Sequence, residues 1–79
     1  MEQYIGVDLH KQFFQACAVN PIGERVWEMR FPRTEEGLAS FRARCLGETA
    51  LAVEACGPTW PFVDAVQPTG ARICVVEPL

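Results

Sequence analysis

Apolar and polar positions in the first 31 residues predict three consecutive strands. Residues 3–9 form a short, mostly apolar run that predicts a strand buried on both faces. Residues 12–19 predict a second strand, and residues 20–23 predict a turn, because proline fixes φ and glycine permits positive φ. Residues 24–31 alternate apolar with charged side chains, which is typical of a half-exposed strand. Short turns between the three strands predict an antiparallel meander.

The next segment has the features of an amphipathic helix over residues 34–46. Thr34 suits the N-cap, and two glutamates follow in the first turn, where they interact favourably with the helix dipole. Gly47 suits the position after the helix. The predicted buried stripe consists of Leu38, Phe41 and Cys45.

The remaining third of the chain predicts a strand, a helix and a strand. Residues 49–55 predict a buried strand, and residues 59–67 predict a helix with Trp60 on its apolar side. Residues 71–76 predict the last strand, which Pro78 ends. The order is therefore β-β-β-α-β-α-β, an α/β fold in which right-handed crossovers make the later strands parallel. We expect a mixed five-stranded sheet with the first and fourth strands side by side at its centre.

Composition limits the protein to one small domain over residues 1–79, with a net charge of −3. An apolar content of 49% excludes intrinsic disorder, and scattered basic residues argue against tight, autonomous DNA binding. The chain contains no apolar run long enough for a membrane span and no signal peptide. The four cysteines lack metal-site spacing, so we expect small buried thiols in a reducing cytoplasm.

Asp8 and Glu54 are the candidate functional residues, because each lies late in a strongly apolar strand, where a buried carboxylate is costly. If their strands are parallel neighbours, both side chains reach the sheet edge where open α/β sheets place their sites. Two converging carboxylates repel each other unless a cation joins them, and Mg²⁺ or Mn²⁺ prefers oxygen ligands. Two structural alternatives stay open. In these, Asp8 binds the turn at 9–12, and Glu54 caps the helix that begins near Pro58.

The element order, with an acid on the first and fourth strands, resembles the RNase H-like fold. Four short motifs resemble the DEDD-type insertion-sequence transposases, which are RuvC-like and include bridge-RNA-guided recombinases. The motifs are Tyr4-Ile5-Gly6-Val7-Asp8-Leu9-His10-Lys11, Phe31-Pro32-Arg33-Thr34-Glu35-Glu36-Gly37-Leu38, Ala52-Val53-Glu54-Ala55-Cys56-Gly57-Pro58-Thr59-Trp60-Pro61 and Val75-Val76-Glu77-Pro78. They occur in the family's order and cover essentially the whole chain.

The resemblance implies that Asp8 and Glu54 are two of four metal-binding catalytic acids. The other two are then expected on a helix beyond Leu79, so the chain is interpreted as an N-terminal transposase fragment that lacks the final helix and is inactive alone. The implied activity of the full-length protein is Mg²⁺- or Mn²⁺-dependent DNA cleavage and strand exchange, with DNA and a guide RNA as partners. His10 and Lys11 are candidate contacts to the nucleic-acid backbone.

Two other interpretations remain. The first lobe of an actin-like sugar kinase or ATPase also opens with a strand and an aspartate, but residues 8–11 contain no glycine to let a phosphate approach. The other interpretation is a non-catalytic RNase H-like interaction module. Without a final helix, an apolar sheet face stays uncovered, and such a face predicts a homodimer.

Overall fold

Five strands and two α-helices follow one another in the predicted order. The computed structural model of the chain describes residues 2–77, so Pro78, predicted to end the last strand, lies outside the described residues. The elements are β1 (Glu2–Leu9), β2 (Phe13–Val19), β3 (Arg25–Pro32), α1 (Glu35–Arg42), β4 (Glu48–Glu54), α2 (Thr59–Val66), a short 3₁₀ turn (Gln67–Thr69) and β5 (Arg72–Val76).

The strands form one mixed sheet in the order β3-β2-β1-β4-β5. β1 pairs antiparallel with β2 and parallel with β4, while β3 and β5 form the two edges. The predicted meander, the parallel crossovers and the central pairing of β1 with β4 are all confirmed. The arrangement is consistent with an RNase H-like α/β fold.

Both helices pack on one face of this sheet around a cluster of aromatic rings. The ring of Phe14 from β2 contacts Phe41 of α1 and Phe62 of α2, with centroids 5.2 and 5.1 Å apart. These rings are almost completely buried together with aliphatic residues of β1 and β4, Ile5, Val7, Leu51 and Val53. Because both helices contact the same sheet residue, they cover the same face.

The opposite face of the sheet, called the open face below, is not covered by any element within residues 2–77. Along β1, Tyr4, Gly6 and Asp8 are exposed while the residues between them are buried, and β4 alternates in the same way. A side chain built on Gly6 would meet no atom within 4 Å. The prediction that the first and fourth strands are buried on both faces is therefore wrong, because both helices pack on one side.

The first helix begins as predicted but ends four residues early. Thr34 Oγ1 accepts a hydrogen bond from the Gly37 backbone N–H at 3.1 Å, which confirms the N-cap. Gly37 packs against the backbone carbonyl of Pro32 so closely that a Cβ would collide with it. The helix ends at Arg42, and a tight turn then carries Cys45 into the core.

Three predictions of buried side chains are wrong. Trp60 is 59% exposed, because α2 turns Thr59, Phe62 and Val66 towards the sheet instead. Cys56 and Cys74 are exposed, the first in the turn before α2 and the second on the open face, whereas Cys45 is buried as expected. Within residues 2–77 no helix has the length and apolar character that crossing a membrane requires.

Candidate metal and nucleic-acid site

Asp8 and Glu54 occupy equivalent positions on neighbouring parallel strands. The ladder between β1 and β4 pairs Val7 with Val53, and each acid is the next residue along its strand. Adjacent strands lie about 4.8 Å apart, so the two side chains project side by side from the open face. Both line a shallow concavity of about 320 Å³ at the carboxyl edge of the sheet.

The two carboxylates are exposed, which corrects the expectation that they are buried. The Asp8 side chain is 75% exposed, and its Oδ2 atom lies 2.9 Å from His10 Nε2. The reason is the uncovered sheet face, which leaves the alternate residues of both strands open to water. The contact with His10 also means that Asp8 does interact with the turn after β1, as the structural alternative proposed.

Glu54 is positioned by a buried threonine rather than by a capping role of its own. The Thr59 hydroxyl donates to the Glu54 carbonyl at 2.6 Å and accepts from the Cys56 N–H at 2.9 Å. Thr59 is fully buried, so this bond ties the end of β4 to the start of α2. No side chain among the described residues caps α2, which leaves the carboxylate of Glu54 free of that role. Thr59 was missed from sequence, although a hydroxyl directly after Gly57-Pro58 marks such a turn.

The ligand set at this edge is partial. Within residues 2–77, no group of three or more histidine, cysteine, aspartate or glutamate side chains converges in a way that could hold a metal ion. Two carboxylates nevertheless fit Mg²⁺, which proteins commonly bind through one or two carboxylates while the ion keeps several waters. The two acids are therefore compatible with part of a magnesium site.

Basic and aromatic side chains surround the turn that follows Asp8. The His10 ring stacks on Phe13 with centroids 4.4 Å apart, and the Arg30 guanidinium lies 4.0 Å from the centre of the same ring. Arg33 Nη1 donates to the carbonyl oxygens of His10 and Lys11 at 2.9 and 3.3 Å. The structure thus brings together two predicted residues and three that sequence reasoning did not assign, Phe13, Arg30 and Arg33.

Comparison with known protein families identifies the family of this chain. Residues 5–79 match a transposase family, the DEDD transposases of the IS110 type. The chain belongs to this family. The resemblance drawn from four short motifs is thereby confirmed, and the match spans both carboxylates and the turn at His10. No curated protein matches the chain.

Proposed function

We propose that this IS110-type transposase chain supplies Asp8 and Glu54 to a magnesium-dependent centre for DNA cleavage and strand exchange. The observation that carries the proposal is the register of β1 and β4, which puts both acids at equivalent positions on the open face. Family membership favours this function over the first lobe of an actin-like kinase.

In this proposal each acid has a distinct local support. Asp8 is oriented by His10, and the backbone of Glu54 is held by the buried hydroxyl of Thr59. A bound Mg²⁺ would supply Lewis-acid stabilisation of charge on a phosphate and a lowered pKa of bound water. The chain's own contribution is to fix two oxygen donors at one edge of a rigid sheet.

We propose further that the centre needs more acidic ligands than Asp8 and Glu54, because residues 2–77 bring no third metal-binding side chain to this edge. DNA and a guide RNA are the proposed partners of the full-length protein. We propose that the protein acts in the cytoplasm, where the four free thiols stay reduced.

A non-catalytic interaction module is the second candidate, and the open face favours it. Tyr4 and Val76 on this face are 39% and 48% exposed, and small apolar residues lie between them. Metal binding separates the two candidates, since an interaction module has no need for it.

The test is a Mn²⁺ titration of the chain, followed by the relaxation of water protons or by calorimetry. We expect weak binding that a chelator reverses, and that Asp8→Asn and Glu54→Gln each abolish, because each removes one of two charged donors. Glu48→Gln is the matched control, since Glu48 is exposed at the opposite end of the same strand. Binding that survives Asp8→Asn, or that falls equally in Glu48→Gln, would exclude the proposed ligands.

A further inference from the structure

Two exposed cations without a carboxylate partner, Lys11 and Arg30, form a basic cluster beside the proposed metal centre, although the chain is acidic overall. Within residues 2–77, ion pairs with carboxylates involve His10, Arg25 and Arg42 only. The side chains of Lys11, Arg30 and Arg33 belong to none of these pairs. They lie on the turn after β1 and on the end of β3, which are adjacent because β2 joins both.

Phe13 holds the Arg30 guanidinium in place. Its ring is half-buried and contacts both the His10 ring and the Arg30 guanidinium. Arg30 is exposed and is further oriented by a long hydrogen bond, 3.5 Å, from its Nε to Gln15 Oε1. A guanidinium fixed against an aromatic ring loses less side-chain entropy when it binds an anion than a free one does.

Arg33 organises the turn itself. With one terminal nitrogen it bonds two consecutive backbone carbonyls, those of His10 and Lys11, while the Arg33 N–H donates to the Gln12 carbonyl at 3.0 Å. The Arg33 side chain itself is half-buried and lines a groove on the helix-covered side with Phe14 and Leu38, so its role is to hold the turn. The same contacts fix the backbone of Lys11, whose own side chain is exposed.

Asp8 lies directly across the sheet from this cluster. Its register partner on β2 is Gln15, and the register partner of Gln15 on β3 is Arg30. The row across the open face therefore runs from a cation, through an amide, to the two acids. A strand whose phosphate binds at Arg30 and Lys11 would extend towards the carboxylates of Asp8 and Glu54. Its next phosphate would be repelled by these carboxylates unless a metal ion lay between them.

We infer that Lys11 and Arg30, on the turn that Arg33 holds, form a binding site for the phosphodiester backbone of a nucleic-acid strand, which leads that strand to Asp8 and Glu54. The inference rests on the proposed function in that it takes Asp8 and Glu54 as the metal ligands, but the binding of the strand itself requires no metal. Lys11 and Arg30 offer donors to phosphate oxygens, and contacts of this kind position a strand without carrying sequence information. DNA and RNA strands share this backbone chemistry.

The experiment measures the affinity of the chain for a fluorescent oligothymidylate of about ten nucleotides, in chelator and at several salt concentrations. Each phosphate contact on a single strand contributes about 0.7 to the slope of log affinity against log salt. We expect Lys11→Gln and Arg30→Gln each to lower that slope by about 0.7. Arg30→Lys should keep most of it, because the charge remains.

Arg72→Gln is the matched control. It removes the same charge from an exposed arginine on the open face, but Arg72 pairs with Ala50, about 13 Å along β4 from Glu54. Equal losses in Arg72→Gln and Arg30→Gln, or no measurable binding by the unmodified chain at low salt, would overturn the inference. An oligouridylate bound with the same slope supports a backbone site. Loss of binding in Arg30→Gln with intact Mn²⁺ binding separates this site from the metal ligands.

Discussion

The four cysteines show how strongly the surroundings of a single residue decide its chemistry. Cys45 is 7% exposed and its thiol donates to the Phe41 carbonyl at 3.6 Å. Burial raises the pKa of the Cys45 thiol from 9.0 to about 11, because the thiolate would lose its hydration. Cys56 and Cys74 are exposed to solvent. Cysteine is thus a core residue at position 45 and a solvent-exposed residue at positions 56 and 74.

We expect iodoacetamide at about pH 8 to modify Cys56 and Cys74 quickly and Cys45 only very slowly, since the thiolate is the nucleophile. Mass spectrometry of peptides after timed labelling measures each rate. The control is the chain in concentrated urea, where all these thiols should react alike. Labelling of Cys45 at the rate of Cys74 in the folded protein would contradict the buried environment.

The same raised pKa links Cys45 to stability. Because the folded-state pKa lies above the ordinary value of 9.0, the contribution of the neutral thiol is fully present below about pH 9. This contribution is lost as the pH rises from about 9 to about 11, because the Cys45 thiol ionises in the unfolded chain before it ionises in the folded protein. The free energy of unfolding should therefore fall over this window, and less steeply in Cys45→Ala.

At the scale of elements, α2 shows where periodicity alone is ambiguous. Trp60, Val63 and Val66 have helical spacing, but so do Thr59, Phe62 and Val66, and the second set faces the sheet. The Thr59 hydroxyl determines which set is buried. Its hydrogen bonds to the Glu54 carbonyl and from the Cys56 N–H set the rotation of the helix about its axis. Trp60 is consequently turned outward.

Phe62→Ala should lower the free energy of unfolding by about 3–5 kcal/mol, since it empties the centre of the aromatic cluster. Trp60→Ala should change it by no more than about 0.5 kcal/mol, because the side chain is largely in water. Urea denaturation followed by circular dichroism compares the two. A larger loss in Trp60→Ala than in Phe62→Ala would show that the other stripe faces the core.

The molecule has two layers, the sheet and the two helices on one of its faces, and residues 2–77 leave the open face uncovered. Gly6, Ala50 and Ala52 form the floor of this face, and the wider apolar concavity above them measures about 440 Å³. Large exposed apolar surfaces on soluble domains recruit partners. We propose that two copies of this 79-residue chain pair through the apolar part of their open faces, around Gly6, Ala50 and Ala52, towards the end of the strands away from Asp8 and Glu54.

Sedimentation equilibrium should then give a mass close to twice 8.8 kDa at high protein concentration. Ala52→Glu should shift the protein to a monomer, because a charge would have to be buried at the centre of the interface. Ala39→Glu, on the exposed side of α1, should leave the dimer unchanged. A strict monomer for the unmodified chain, or equal effects of both variants, would contradict the pairing.

The sequence by itself determined the order of the elements, the central pairing of β1 with β4 and the transposase family, because alternation, turn residues and short motifs are local properties. The position of both acids late in their strands was local too, whereas their placement at one edge depends on the parallel pairing of β1 with β4. Element ends were less certain: α1 stops at Arg42, where a tertiary contact of Cys45 outweighs helix continuation.

Only the tertiary structure decided which sheet face is covered, and with it the exposure of Asp8, Glu54, Cys74 and Trp60. Both helices pack on Phe14, so burial depends on contacts between residues far apart in sequence. The grouping of Phe13 and Arg30 with the turn at His10 has the same origin, since it follows from the register of β2 with β3. Two other arginines have different partners: Arg42 pairs with Glu35, and Arg44 stacks on Trp27.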